Sequence, residues 1–335
     1  MKRVTIKDLA RQLNLNPSTV SRALKDHPDI SVETKNKVKE LAELLQYRPN
    51  NFAINFRNRK SNTIGLIVPQ FSMIYFPSLL KGINEILRPV NYNLLVLPSN
   101  ESLQGEKNSL EICERNGIDG LLASVSRETL SGEHFQSLID YNVPVVFLDR
   151  IPFDKGDVSQ VIVDDKKAAE RATISLLEAG VKKIIGFFGN ENLQISQNRR
   201  LGFYQQCEKF NLSPNNMQAH HCSNRFEVKD ILLKFIETRG IPEGIFTMSD
   251  ETLIGVMQAI HQLNIKVPEQ VSIVAISDGE FPEFYNPKTT YVETSGYKVG
   301  KAAAELLVNL INNDNRLNQQ IIIDTPLIEG YSIKN

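Results

Sequence analysis

From Asn62 onward the chain repeats one arrangement, a short β-rich run followed by a helical stretch. The runs are Ile64–Val68, Leu94–Leu97, Gly120–Ala123, Val145–Leu148, Val161–Val163, Ile184–Phe188, Gly244–Thr247 and Val271–Ile276. Between most of them lie helical stretches such as Leu79–Leu87, Ala168–Ala179, Gly202–Phe210 and Leu253–Leu263. Strands linked by helices pair in parallel, and a parallel sheet must be covered on both faces. At least eight strands over this length fit two doubly wound α/β lobes better than one sheet. Ligands of such sheets sit at the carboxyl ends of the strands, so two facing lobes predict a cleft there.

Residues 1–46 differ in kind, because they carry only helical periodicity. Ile6, Leu9, Ala10 and Leu13 fall at i, i+3, i+4 and i+7. Val20, Ala23 and Leu24 keep the same spacing, as do Val38, Leu41, Ala42 and Leu45. Three short helices with one apolar stripe each can bury those stripes only against one another. The expected organisation is a three-helix domain over 1–46, a linker over 47–61, and a two-lobed domain over 62–335.

Charge separates the same parts. Residues 1–60 hold 13 Lys/Arg against 6 Asp/Glu, a net of +7, and the remainder holds 25 against 33, a net of −8. A basic segment ahead of an acidic body suits a protein whose N-terminal part alone meets a polyanion, although a merely solvated basic face has the same composition. The N-terminus lacks an uninterrupted apolar stretch, and no apolar run is long enough to span a membrane, so the expectation is a cytoplasmic protein without membrane attachment. The three cysteines, Cys113, Cys207 and Cys222, lack metal or CxxC spacing and read as reduced thiols.

Within the basic segment, Thr5 caps a first helix and Asn14-Leu15-Asn16 makes a tight turn. Asn14 suits a left-handed backbone, and Asn16 and Pro17 suit the cap and first position of a second helix. On that helix Val20, Ala23 and Leu24 face inward, leaving Ser18, Thr19, Ser21 and Arg22 outward. Hydroxyls and helix-start N–H groups bind phosphates, and arginine pairs bidentately with guanine, so this face suits the major groove. A helical hairpin unrelated to DNA is the competing reading of the same periodicity.

Four segments resolve that choice by resemblance. Thr5-Ile6-Lys7-Asp8-Leu9-Ala10, Thr19-Val20-Ser21-Arg22, Tyr47-Arg48-Pro49-Asn50 and Asn62-Thr63-Ile64-Gly65-Leu66-Ile67-Val68-Pro69 resemble, in order and at matching spacing, the LacI/GalR family of bacterial transcription repressors. The resemblance implies a helix-turn-helix domain followed by a periplasmic-binding-protein-like effector domain. It further implies a homodimer that reads a palindromic operator under control of a small-molecule effector, carbohydrate-like in class. Pro17, Ser18 and Arg22 would read bases, and Thr5, Asn16, Thr19, Ser21 and Tyr47 would hold phosphates. Asn16 replaces the usual serine. Asn50, Ala53 and Phe56 match a hinge segment that wedges an apolar side chain into the minor groove, with Phe56 in place of the usual leucine. Ile54 and Asn55 depart from the family pattern, and an ordinary linker with an exposed Phe is the alternative.

For the cleft, Ser124 and Asp149-Arg150 end the third and fourth strands, where ligand contacts fall; carboxylate and guanidinium there suit a polyhydroxyl or an anionic group. By resemblance, Tyr75 and Phe76 form an aromatic pair that can stack on a ring, or else pack helices. Arg199 would contact the effector, or else make a salt bridge, and Phe226, Asp250 and Asp278 are further matches. Two departures stand out: Ser277 replaces the first of two adjacent acids, and Thr294 replaces a frequent glutamine, so the family's sugar specificity does not carry over.

Rival chemistries find little support. Adjacent residues in His220-His221-Cys222 point to opposite faces of a strand. Gly186-Phe187-Phe188-Gly189 lacks the third glycine of a dinucleotide fingerprint. Asp164-Asp165 begins a helix. No catalytic constellation, metal site or cofactor signature is apparent, and the expectation is a regulator that is not an enzyme.

Overall fold

The computed structural model describes residues 4–45, 47, 60–71, 74–152, 158–313 and 317–334. Contacts divide the chain into two units at Ser61/Asn62.

In the first unit Thr5 adopts an extended backbone, and its N–H and hydroxyl donate to the Asp8 carboxylate at 2.8 and 2.7 Å. That starts α1 (Ile6–Leu13), which ends where Asn14 turns left-handed at φ 52°. Asn16 is extended ahead of Pro17 and α2 (Pro17–Leu24), but its side chain makes no cap hydrogen bond, contrary to the capping role expected of it. Ser31 caps α3 (Val32–Leu44) by accepting from the Thr34 N–H at 3.3 Å. Leu9, Ala10, Val20, Ala23, Val38 and Ala42 form the buried centre. Tyr47, taken from the sequence as the first linker residue, belongs with this core: its ring packs on the cluster and its N–H donates to the Ala42 carbonyl at 2.8 Å.

The second unit holds two lobes. Along the chain run β1 (Thr63–Val68), α4 (Tyr75–Leu87), β2 (Asn93–Pro98), α5 (Leu103–Asn116), β3 (Gly120–Ala123), α6 (Gln136–Asp140), β4 (Val145–Leu148) and β5 (Ser159–Val163). The chain then enters the second lobe with α7 (Asp165–Glu178), β6 (Ile184–Phe188), α8 (Gln194–Lys209), β7 (Met217–His221), α9 (Arg225–Arg239), β8 (Gly244–Thr247), α10 (Asp250–Gln262), β9 (Ser272–Ser277) and β10 (Thr290–Glu293). It returns for α11 (Gly296–Asn312) and β11 (Gln320–Ile323), and crosses once more for β12 (Leu327–Ile328). The two lobes are thus joined by three crossings.

The sheet orders are β11-β5-β4-β3-β1-β2 and β12-β10-β9-β8-β6-β7. Every pairing is parallel except β10 with β12. Both sheets are covered on two faces, so β3, β4, β6 and β8 are buried along their whole length. In the first lobe α11 lies against α4 at glycine contacts: a Cβ on Gly82 would stand 2.1 Å from the Tyr297 carbonyl oxygen, and one on Gly300 2.3 Å from that of Leu79. Each sheet reverses its winding beside its first strand, between β1 and β3 and between β6 and β8. Those switch points open a crevice at the strand ends.

Candidate nucleic-acid face and ligand cleft

The outer face of α2 presents Pro17, Ser18 and Arg22 exposed, with Thr19 and Ser21 partly so, while Val20 and Ala23 are wholly buried. Thr5 and Asn16 are also exposed, next to the starts of α1 and α2. Pro17, Ser18, Thr19, Ser21 and Arg22 thus run from the first residue of α2 to its last turn, with Asn16 at its cap, whereas Thr5 stands at the cap of α1 and Tyr47 after α3. Its ring is partly committed to the core. Asn50, Ala53 and Phe56 lie outside the described residues.

In the second unit the loops after β1, β3 and β4 face those after β6, β8 and β9 across a cavity of about 720 Å³. That volume is in the range of sites that enclose a small organic molecule. Tyr75 and Phe76 line it from the start of α4, with the Phe71 and Phe76 rings 5.0 Å apart. Ser124 and Asp149 line it from the ends of β3 and β4, and the Ser124 hydroxyl donates to Asp149 at 3.4 Å. Asp149 holds a left-handed backbone at φ 61°, as do Asn100 at 54° and Glu101 at 56° in the loop after β2. Of the three, Glu101 is the residue type that least favours this region, and it and Asp149 line the cavity.

The second lobe supplies Arg199, Asp250, Ser277, Asp278 and Thr294. Arg199 is 5% exposed; its Nε and Nη2 reach Asp165 Oδ1 at 2.8 Å, and its Nη1 donates to the Met248 carbonyl. The sequence allows it either an effector contact or a surface salt bridge. It is a buried ion pair that lines the cavity. Ser277 donates to the Asp250 carboxylate, which also accepts the Asp278 N–H at 3.0 Å. Asp278 in turn accepts the Gly296 N–H at 2.5 Å, and Thr294 donates to the Ser277 carbonyl at 3.3 Å. Phe226 does not join them. It sits on the first turn of α9, 60% exposed, under the Arg225 guanidinium at 5.1 Å, and only its neighbours Asn224 and Arg225 reach the lining.

Burial dominates the electrostatics. It pushes the Asp165 carboxyl up to about 6 despite the opposing pull of Arg199, and Asp278 up to about 6 against hydrogen bonds from Gly296 and Ser78. Asp149 and Asp250 are raised for the same reason. The Tyr75 hydroxyl is raised well above its ordinary value by burial and then by the Asp149 and Asp278 charges. Such a site suits a ligand that offers hydrogen-bond donors, because a buried acceptor is costly unless occupied.

The sequence comparisons place both units. Residues 61–330 match the family described as periplasmic binding proteins and sugar binding domain of LacI family. Residues 5–50 match bacterial regulatory proteins of the lacI family. The chain belongs to the LacI family. It is a transcriptional regulator with a helix-turn-helix unit and a periplasmic-binding-protein-like domain, as the resemblance implied. Among similar LacI-family proteins, catabolite control protein A of Staphylococcus aureus is 27% identical over 321 residues, covering 96% of each chain. A lac repressor dimer solved with operator and the anti-inducer ONPF has a TM-score of 0.86 at 18% identity over the whole of both chains. The regulator CelR, solved with cellobiose, has a TM-score of 0.72 at 20% identity, covering 98% of this chain and all of that one.

Sequence reasoning missed two acids of this LacI-family cleft. In the sequence Asp165 is only part of a helix start, with Asp164 as the cap; its pairing with Arg199 crosses from α7 to α8. Glu101 was not considered, yet it lines the cavity and accepts from Arg150 at 2.9 and 3.1 Å. Neither pairing carries a local signal. The linkage that makes Asp165 visible is an arginine 34 residues away. Among the described residues no helix is long and apolar enough to cross a membrane, and no His/Cys/Asp/Glu group is arranged to hold a metal ion.

Proposed function

We propose that this regulator acts in the cytoplasm as a homodimeric repressor, binds a palindromic operator through α2 of each subunit, and is controlled by a carbohydrate-like effector in the cleft. One observation carries the reading: a helix face of hydroxyls and one arginine shares a chain with a cavity of about 720 Å³ lined by carboxylates and aromatic rings. Asp149, Asp250 and Asp278 accept ligand hydroxyls, Tyr75 and Phe76 take a ring face, and Arg199 fixes the second-lobe wall. Phe226 plays no part in the cleft on this reading. Residues 47–61 carry the coupling between the parts, with Phe56 as the minor-groove wedge. A ligand can shift DNA affinity only as far as it discriminates between two states of the protein, so one that binds without changing operator affinity is not the effector.

The test combines two measurements on the full-length protein. Thermal melting against neutral mono- and disaccharides identifies ligands of the folded state. Fluorescence anisotropy on a DNA duplex recovered by selection then reads their effect on operator affinity. The reading expects at least one sugar that raises the melting temperature and changes DNA affinity. Sugars that leave both unchanged across the panel overturn it.

A further inference from the structure

The cleft's inner guanidinium groups are engaged by acids of this chain, whereas three of its carboxylates feel those guanidinium groups only from beyond ion-pair distance or not at all. Arg199 is held by Asp165 and the Met248 carbonyl. Arg150 is held by Glu101, with both side chains largely buried. Arg127 is exposed at the mouth, and Arg225 lies over the Phe226 ring. By contrast Asp149, Asp250 and Asp278 accept only hydroxyl and backbone N–H donors, and none of them makes an ion pair among the described residues.

The count of charges runs the same way. The lining carries five carboxylates against four guanidinium groups. Helix starts are the other common anion binders; the one at Gly296 is already taken, because its N–H donates to Asp278, and the uncapped ones stand beside acids, Tyr75 near Asp149 and Asp278 and Gln194 near Asp165. An incoming phosphate or carboxylate would have to break a buried ion pair or lie beside unpaired acids in a medium that screens poorly. Hydroxyl groups meet no such obstacle, since each can donate to a waiting carboxylate.

We propose that the cleft selects an uncharged polyhydroxyl ligand and rejects its phosphorylated and carboxylated relatives, with Asp149, Asp250 and Asp278 as the acceptors and the Glu101–Arg150 and Asp165–Arg199 pairs as the barrier to anions. This rests on the reading of the cleft as a carbohydrate site. It narrows the sequence-based expectation, in which carboxylate and guanidinium suited polyhydroxyl and anionic ligands alike. The guanidinium groups are present, but the fold has spent them on Glu101 and Asp165.

The experiment measures melting shifts of the full-length protein with paired probes: glucose and glucose 6-phosphate, galactose and galactose 6-phosphate, ribose and ribose 5-phosphate, and gluconate. At saturating concentration at least one neutral sugar should raise the melting temperature by about 2 °C or more, and its phosphorylated partner should not. Glu101→Gln releases Arg150 from its carboxylate and should narrow the preference for the neutral member of the pair at least about tenfold, an effect that general loosening of the lobe does not produce. A phosphorylated sugar that binds the unmodified protein as well as its neutral partner overturns the proposal and leaves the carbohydrate reading standing; the helix starts at Tyr75 and Gln194, which lack side-chain caps, are where it would dock. Binding of no member of any pair, with no response to neutral disaccharides either, overturns the carbohydrate reading and this proposal with it. The unmodified protein decides between these results even if the variant does not fold.

Discussion

The Arg199–Asp165 pair is the strongest electrostatic commitment in the cleft, and it makes a quantitative prediction. Both side chains are nearly buried, at 6% and 11% exposure. Removing one partner of such a pair leaves an uncompensated charge and costs about 3–5 kcal/mol, while replacing both with neutral groups of similar size is often close to neutral. Asp165→Asn should sit in that range, because a guanidinium has no accessible neutral form through which to escape burial. Arg199→Met should cost less at pH 7, about 1–3 kcal/mol, because Asp165 can escape by taking up a proton: its carboxyl is already at about 6 with the arginine in place. The double variant should therefore lose at least about 2 kcal/mol less than the sum of the single losses. Urea denaturation of the four full-length proteins, with m compared across them, measures this.

The pH profile adds a second check. Without Arg199 the folded-state value of Asp165 climbs further above its unfolded value near 3.8, so the folded form binds the extra proton. Stability from that proton is complete below the unfolded value and is lost as pH rises through the folded one. Arg199→Met should accordingly approach the parent protein at pH 5 and fall away from it toward pH 8. Single losses that add to within about 0.5 kcal/mol, or a pH profile parallel to the parent's, would refute the reasoning.

Two further predictions concern other parts of the molecule. Arg22→Ala should lose about 1–3 kcal/mol of discrimination per half-site, and unchanged relative affinity for altered operators in a competition assay would remove its base-reading role. Glu106, wholly buried on α5, accepts from the Ser126 N–H at 2.8 Å, the Thr129 hydroxyl at 2.9 Å and His134 Nε2 at 2.6 Å, and so pins the loop after β3 that carries Arg127. Glu106→Gln, which cannot accept at every one of these positions, should cost about 2–3 kcal/mol by denaturation, and a neutral outcome would show the loop to be held by other contacts.

The elements that sequence reading recovered are those with a strong local signature. Eight strand cores in the lobes are continuous apolar runs because both faces of their sheets are covered, and they fall within one or two residues of the observed strands. Asn14 and Pro17 mark the turn of the first unit by backbone preference alone. Four strands escaped. Met217–His221 is polar because it lies at a sheet edge, Gln320–Ile323 and Leu327–Ile328 close the opposite edges, and Thr290–Glu293 is a short run beside a polar loop. At the cleft, Ser124 and Asp149 were legible because strand ends fix where ligand-facing residues fall, and Arg199 because its family position is distinctive. Phe226 was misplaced because one helical step decides whether a first-turn side chain faces the cavity or solvent, and sequence does not set that rotation. Asp165 and Glu101 gain their meaning only from partners brought close by folding.

The central claim is tested most directly by selecting duplexes from a random DNA library with the full-length protein at moderate salt, and counting protein chains on the winners by light scattering. The account predicts enrichment of a palindrome bound by two chains. Recovery of no preferred sequence, or a single chain on an asymmetric site, contradicts it.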